Sequence, residues 1–174
     1  MKSNAGQPAR QTGRLIKRET IGPPECPILT RWTLLSTRLG KLMLHRFHPN
    51  ADDRAVHDHP APFWTFVLRG FYDDMRPCEI CLGEGFELGG SCDRCSGLGV
   101  VLNEQMSAGT LRFRPAVHPH RTRVGPEGCW TIVLMGPKVR EWGFWRGPQW
   151  LPWREHERRF GFGMRCPDRD RETA

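Results

Sequence analysis

The sequence predicts an all-β fold, either a sandwich or a barrel, and three observations support this prediction. Apolar runs of strand length recur at residues 32–35, 41–47, 63–68, 110–113 and 129–135. Glycine and proline separate these runs, and no stretch between them is long enough for an extended amphipathic helix. A chain of 174 residues has room for one main core, so we expect one principal domain.

The two ends of the chain differ in composition from this central part. Residues 1–27 are polar and rich in Gly and Pro, so we expect an N-terminal arm that is flexible or laid across the surface. The predicted barrel spans residues 28–160, and its aromatic-rich part at 142–153 should be a strand and loop that cover the barrel. From residue 154 the chain is polar, with room for one short helix before a C-terminal tail at 161–174.

The net charge of +7 comes from 26 basic and 19 acidic residues. The basic residues are nearly all Arg, are scattered, and form no run or nucleic-acid motif, so we interpret them as solvated surface charge. The N-terminal region lacks the apolar stretch of a secretory signal, and no segment approaches the ~18 apolar residues of a membrane span. We therefore expect a cytoplasmic protein that binds neither membranes nor nucleic acid.

Four of the seven cysteines form an internal repeat. Two copies of the pattern C-x-x-C-x-G-x-G, fourteen residues apart, supply Cys78, Cys81, Cys92 and Cys95. Two C-x-x-C turns provide the tetrahedral four-thiolate set typical of structural Zn2+, which would tie a loop together rather than catalyse. A redox-active dithiol pair and a run of free cysteines are the alternatives. Cys26, Cys129 and Cys166 have no matching partners, and we expect buried or incidental thiols there.

The two copies resemble the cysteine-rich repeats of DnaJ-type chaperones over residues 78–99. The resemblance implies a zinc hairpin, inserted into the barrel at residues 77–99. It implies no chaperone activity, because the rest of the chain has no similarity to those proteins.

Two H-x-H pairs each adjoin a predicted strand. His57 and His59 precede the run at 63–68, and His118 and His120 follow the run at 110–113. Because side chains alternate along an extended chain, both histidines of a pair face the same side and can approach one ion. Asp58 faces the other way.

Around these pairs the chain resembles the cupin superfamily. The first cupin motif is similar to HDHPAPFWTFVLRG at residues 57–70, and the second to GTLRFRPAVHPH at residues 109–120. The resemblance implies a jelly-roll β-barrel with the metal ligands His57, His59 and His120. The glutamate of the first motif is absent, and Phe63 occupies its position. The implied three-histidine set is like that of the thiol dioxygenase branch, which binds Fe(II), and another divalent ion is the alternative.

Other side chains are secondary candidates. His118 shares the side of His120 and can supply a fourth ligand or a catalytic group, and Tyr72 can act as an acid or base if its phenol points inward. We expect His45 and His48, near the run at 41–47, to be exposed or hydrogen-bonded. The alternative to a metal site at His57, His59 and His120 is a barrel that has lost its metal, in which these histidines line a pocket.

These residues predict a metal-dependent enzyme, most concretely an Fe(II) dioxygenase that acts on a small substrate, with anionic substrates among the candidates. A cupin isomerase, epimerase or lyase fits the same histidines, because a fold does not fix a reaction. The third hypothesis is a non-enzymatic binding module whose zinc hairpin contacts a partner protein. That hairpin is acidic, which disfavours nucleic acid as its target. A homodimer is implied by the resemblance alone.

Overall fold

Eleven β-strands and one α-helix form the part of the protein that the structure, a computed structural model, describes, namely residues 16–49, 51, 55–87 and 90–160. The strands are β1 Lys17–Ile21, β2 Leu29–Thr37, β3 Gly40–Phe47, β4 Phe63–Pro77, β5 Phe86–Glu87, β6 Gly90–Ser91, β7 Val100–Ser107, β8 Leu111–Arg114, β9 Arg121–Met135, β10 Gly143–Arg146 and β11 Gln149–Pro152. The helix α1 is Trp153–Phe160.

One antiparallel sheet of seven strands makes up the barrel. Its order is β1-β2-β3-β9-β4-β7, and β8 pairs with β4. Strands β4 and β9 have 15 residues each and pair with each other through most of their length. Bulges interrupt this pairing between Val67 and Arg69 and between Gly70 and Tyr72, and such bulges bend a strand. The predicted all-β class of jelly-roll type is confirmed.

Alternation along β4 separates the interior from the outer face. Phe63, Thr65 and Val67 are buried, whereas Trp64 and Phe66 between them are exposed. Successive side chains of a strand point to opposite faces, so the buried set lies inside the barrel. Two apolar clusters fill the described interior, one made of Met43, Phe63 and Val133, the other of Ala51, Val67, Tyr72, Met106, Val124 and Cys129.

Two short hairpins lie outside the main sheet. Strands β5 and β6 pair within the inserted segment 77–99, which we call the cysteine knuckle. Strands β10 and β11 pair in the aromatic-rich segment and continue into α1, and we call residues 143–160 the C-terminal cap. The backbone N–H of Trp145 in this cap donates to the carbonyl of Val56 at 2.8 Å. The cap therefore lies against the start of the first histidine motif.

Several elements are longer than the apolar runs predicted. The runs at 63–68 and 129–135 are each one end of a 15-residue strand, and β7 lies outside every predicted run. Within the expected N-terminal arm, Lys17–Ile21 form an edge strand paired with β2. Residues 1–15 of that arm and the tail at 161–174 lie outside the described residues.

Helix α1 has eight residues. No helix in the described part of the chain is long and apolar enough to span a membrane.

Candidate metal centres

The structure brings three of the predicted histidines together. His57 and His120 form an isolated antiparallel bridge in which each backbone N–H donates to the other's carbonyl at 2.9 Å. One ring nitrogen from each of His57, His59 and His120 lies within 4.8 Å of the others. Backbone pairing thus aligns the two histidine motifs, and alternation turns the ring of His59 toward the same site.

The spacing of the ring nitrogens fits a divalent ion. Nε2 of His59 and Nε2 of His120 are 2.9 Å apart. Two nitrogens that bind one ion at ~2.1 Å, at a right angle, lie about 3.0 Å from each other. The imidazoles of His59 and His120 can therefore occupy adjacent positions around one ion, and a ring nitrogen of His57 within 4.8 Å completes the candidate three-nitrogen set.

The second ring nitrogen of two of these histidines meets an oxygen. Nδ1 of His57 lies 3.2 Å from the carbonyl oxygen of Ala55, and Nδ1 of His120 lies 2.5 Å from Oδ1 of Asp74. An Nδ1–H that donates to such an oxygen leaves the lone pair on Nε2. This tautomer is the one that a metal-binding Nε2 requires.

Asp74 is a site residue that the sequence analysis missed. It is 1% exposed, and its Oδ2 accepts from Arg114 at 2.9 Å and from Asn103 at 3.3 Å. The same oxygen lies 3.1 Å from Nε2 of His118. Burial raises the pKa of Asp74, but hydrogen bonds from His118 and His120 outweigh burial and hold this pKa well below its usual range. An ionised carboxylate therefore orients both histidines of the second pair.

Two histidines of the site, His59 and His120, have a lowered pKa. Burial lowers the pKa of His59 well below its usual value, and the neighbouring His120 and His57 lower it further. Burial also lowers the pKa of His120, against the opposing effect of Asp74. Neutral imidazole is the form that binds metal, so these rings are ready to act as ligands at neutral pH.

Phe63 occupies the position of the missing glutamate and lies in the wall of the site. Its ring centroid is 4.6 Å from that of His59, in an edge-to-face arrangement, and the residue is buried. A phenyl ring offers no ligand atom, so this side of the site is apolar.

Asp58 points away from the histidines on either side of it, as alternation predicts. It is fully buried, and Oδ1 accepts from the backbone N–H of Gly143 at 2.9 Å. Its Oδ2 accepts from the indole N–H of Trp150 at 3.0 Å and of Trp145 at 3.3 Å, and pairs with Arg140. Asp58 therefore anchors the first histidine pair to the C-terminal cap.

The four repeat cysteines also converge. All four are free and buried, and their Sγ atoms lie within 4.8 Å of one another. Sγ of Cys78 is 3.9 Å from Sγ of Cys92, and Sγ of Cys81 is 3.6 Å from Sγ of Cys95. Four sulfurs bound to a tetrahedral Zn2+ at ~2.3 Å lie about 3.8 Å apart. The cluster therefore has the size that a four-coordinate ion needs.

Backbone N–H groups support thiolates in this cluster. Gly85 donates to Sγ of Cys81 at 3.2 Å, and Gly99 donates to Sγ of Cys95 at 3.3 Å. Burial raises the pKa of the Cys81 thiol, but hydrogen bonds, led by the one from Gly85, outweigh burial and lower it to about 7. The thiolate, which is the form that binds metal, is thus accessible at neutral pH.

The second glycine of each repeat has a packing role that the spacing did not show. Gly85 has φ 83° and Gly99 has φ 70°, both in the left-handed region. A Cβ on Gly85 would lie 2.4 Å from the carbonyl oxygen of Gly97, and a Cβ on Gly99 would lie 2.4 Å from that of Gly83. The two halves of the cysteine knuckle fit together because these positions have no side chain.

Of the two catalytic candidates, His118 adjoins the three-histidine cluster, whereas Tyr72 lies in the apolar interior. Tyr72 points inward but packs within the second apolar cluster, where burial and, next, the charge of Asp74 raise the pKa of its phenol. The ring of His118 is 5.0 Å from that of His120, and its Nε2 faces Asp74. A catalytic role for either residue stays a prediction.

Two minor expectations need correction. Nε2 of His48 lies 3.0 Å from Oγ1 of Thr30, as expected, but His45 is buried, and its Nε2 has no hydrogen-bond partner in the described part of the chain. Its position on the inner face of β3 accounts for the burial. Cys129 is a buried free thiol, whereas Cys26 is disulfide-bonded and is not an incidental thiol. Cys166 lies outside the described residues.

A cleft of about 490 Å3 is lined by the cysteine knuckle, the C-terminal cap and residues beside the barrel histidines. Glu84 and Leu98 of the knuckle line one side, and Arg121 and Trp145 line the other. The three converging histidines are not among its described lining residues. Two of its lining residues, Val56 and Arg121, are the chain neighbours of His57 and His120.

Comparisons with known proteins give matches among solved structures, but none among family models or curated proteins. An RmlC-like cupin from Shewanella frigidimarina NCIMB 400 is 20% identical, with 75% of this chain and 92% of that chain covered and a TM-score of 0.46. The polyketide cyclase RemF from Streptomyces resistomycificus is 16% identical, with 88% and 86% covered and a TM-score of 0.48.

A mutant of the oxalate decarboxylase OxdC from Bacillus subtilis is 12% identical over 71% of this chain, with a TM-score of 0.48. The present chain spans only 28% of that protein's length. Identities and TM-scores at this level are too low to carry an argument about activity. The chain's own sheet and its converging histidines therefore carry the evidence for its function.

Proposed function

We propose that this chain, whose fold is of the cupin type, is a mononuclear metal-dependent enzyme that acts on a small substrate at His57, His59 and His120. The observation that carries the proposal is the convergence of the three imidazoles within 4.8 Å. Fe(II) is the metal we propose, with another divalent ion as the alternative, because three neutral imidazoles without a carboxylate leave positions open. When bound, such an ion would supply those positions to the substrate and to O2, as in a dioxygenase.

Three residues around the histidines have defined roles in this proposal. Asp74 holds Nδ1 of His120 and so directs its Nε2 at the ion. Phe63 contacts the ring of His59 and keeps that side of the site free of water. Asp58 keeps the first histidine pair in place through its bonds to the C-terminal cap.

We also propose that the cysteine knuckle holds a structural Zn2+. Support comes from the sulfur spacings of 3.6 and 3.9 Å and from the two N–H groups directed at sulfurs. Four thiolates fill a tetrahedral ion and leave no position for substrate, so this site would stabilise the insertion.

Metal analysis of protein purified without added metal tests both sites. We expect zinc together with iron or manganese in the wild type. His120→Ala should lose the second metal and keep zinc, whereas Cys81→Ser should lose zinc and keep the second metal, because the two sites share no ligand. His48→Ala is the matched control, since His48 lies outside both clusters and should change neither metal.

Two results would count against the enzyme. Zinc alone, at one ion per chain in the wild type and in His120→Ala, would favour a non-enzymatic module. Iron that does not bind nitric oxide, a surrogate for O2 with a distinct electron paramagnetic resonance signal, would show that no coordination position is open. Iron that binds nitric oxide in the wild type and is absent from His120→Ala would support the dioxygenase form.

One observation favours a partner protein as a second role for the cysteine knuckle. Ile80, Leu82 and Leu98 on this insertion are each more than half exposed. Exposed aliphatic groups on a small rigid loop are suited to contact another protein. A photo-cross-linking residue at position 82 should capture one partner only while Cys81 is intact. The same residue at exposed position 39, in the turn between β2 and β3, is the control and should capture none.

A further inference from the structure

Two buried polar atoms inside the barrel lack a hydrogen-bond partner among the described residues. They are Nε2 of His45 on β3 and Oγ1 of Thr131 on β9. The two residues are register partners across the β3 and β9 pairing, so their side chains lie side by side on the same face. A buried polar atom that is left unpaired lowers the stability of the folded state. Two such atoms side by side indicate a polar site for a group that the chain itself does not supply.

The inward neighbours of this pair along its own two strands are apolar. Along β3 the neighbouring inward positions are Met43 and Phe47, and along β9 they are Val133 and Cys129. Thr131 is also the register partner of Val67 on β4, which is fully buried. The pair is thus a small polar spot between the two apolar clusters of the interior.

The pair is also uncharged. Burial lowers the pKa of His45 to about 3, with a smaller contribution from Arg31, so its imidazole is neutral at neutral pH. Two arginines with partly buried side chains are already paired, Arg114 with Asp74 and Arg140 with Asp58. Arg31, the register partner of His45 on β2, is a further cation, and it is already paired with Glu19. A neutral donor and acceptor pair beside an arginine that already has its carboxylate suits an uncharged oxygen better than a carboxylate.

The pair lies in the same interior as the proposed metal site. Met43, two residues before His45 on β3, packs in one cluster with Phe63, whose ring contacts His59. Methionine is unbranched and can change rotamer to admit a ligand. A small molecule held near the histidines would therefore meet the apolar surface of Met43 on the way to the polar pair.

We infer that His45 and Thr131 form a substrate-binding subsite that takes an uncharged hydroxyl or carbonyl oxygen of a molecule with an apolar body. The inference rests on the proposed function, because it describes the substrate of the three-histidine site. It narrows the substrate class from any small molecule to neutral, oxygen-bearing ones, and it disfavours small anions.

Three probes of similar shape test the subsite. Phenol carries a neutral hydroxyl, toluene replaces it with a methyl group, and benzoate carries a charge. Titrations of the purified protein, followed by the NMR signals of the His45 ring, should show phenol binding roughly tenfold more tightly than toluene. Benzoate should bind no better than toluene.

Thr131→Val removes the hydroxyl and keeps the shape of the side chain. We expect this variant to bind phenol and toluene equally, while Thr20→Val on the exposed edge strand keeps the preference. Equal binding of phenol and toluene by the wild type, or a preference that survives Thr131→Val, would overturn the subsite. The subsite would also be overturned if Thr131→Val raised the free energy of unfolding without changing the binding of either probe. The hydroxyl would then be a buried group without a hydrogen bond and not a ligand contact.

His120→Ala separates this inference from the proposed function. The variant should lose the barrel metal and keep the phenol preference, because His45 and Thr131 do not contact that ion in the proposal. A wild type without barrel metal that still prefers phenol would contradict the enzyme and leave the subsite standing. A wild type that has the barrel metal but binds phenol and toluene equally would contradict the subsite and leave the proposed enzyme function standing.

Discussion

Oδ1 of Asp74 lies 2.5 Å from Nδ1 of His120, on the side of the ring opposite the nitrogen that faces His59. This contact joins β4 to the residue just before β9 and sets the tautomer of a proposed ligand. The carboxylate also has Arg114 as a partner, so it remains ionised and oriented whether or not an ion is bound.

Asp74→Asn should weaken barrel-metal binding by about 10- to 100-fold, because a neutral amide no longer favours the Nδ1–H tautomer of His120. Competition with a chelator would measure the affinity. Asp73→Asn is the matched control, because Asp73 binds Arg123 and Gln105 away from the histidines. Equal affinity for the barrel metal in the two variants would contradict the positioning role of Asp74.

Phe63→Glu should supply the carboxylate that the first motif lacks. We expect the barrel metal to be retained at roughly tenfold higher chelator concentration, since a fourth ligand would bind where the phenyl ring now packs against His59. The open coordination position should be lost, which the nitric oxide signal would report. Phe63→Gln has nearly the same shape as the glutamate variant without its charge, and a similar gain there would indicate an effect of polarity alone.

Gly85→Ala should disrupt the cysteine knuckle much more than Gly83→Ala. The two glycines have similar φ, 83° and 88°, so an alanine at either position meets the same left-handed strain of ~1–2 kcal/mol. Only at position 85 would the new Cβ collide with a backbone oxygen, at 2.4 Å, whereas at position 83 the nearest atom is 3.6 Å away. Zinc affinity and protease cleavage within 77–99 measure the difference, and equal losses would mean that strain alone acts.

Burial of His45 predicts a loss of stability in acid. Its folded pKa of about 3 is below its unfolded value of 6.5, so the unfolded chain takes up a proton first as pH falls. The contribution of neutral His45 is complete above pH ~6.5 and falls by up to ~1.4 kcal/mol per pH unit down to about 3. Urea unfolding at pH 7.5 and 5.5 should show a smaller loss in His45→Leu than in the wild type. An unchanged loss would place the acid-sensitive group elsewhere.

The sequence predicted the barrel class and the converging ligands because both depend on local rules. Alternation fixes the shared side of His57 and His59, and the repeat fixes the four cysteines. Asp74 was not predicted as a site residue because the apolar run ends at residue 68, while β4 continues to Pro77. There, the four consecutive residues 72–75 are all buried, so alternation no longer separates the two faces. Burial of Asp74 depends on long-range partners such as Arg114, which no local pattern contains.

The hydrogen-bond and ion-pair partners of Asp58 could not be predicted from the sequence, for the same reason. Its partners Arg140, Trp145 and Trp150 lie more than eighty residues further along the chain. An aspartate between two histidines has the same local sequence whether it faces solvent or a buried arginine. Only the folded position of the C-terminal cap decides between the two.

The order of these residues along the chain also determines the order in which the two metal sites can form during synthesis. The ribosome completes the four thiolates at Cys95, before His120 has been made and well before Trp150 can lock Asp58. Soft divalent ions that reach the nascent chain therefore meet a finished sulfur site first. The barrel histidines become complete only later, when the proposed thiolate site would already have bound the ion that prefers sulfur.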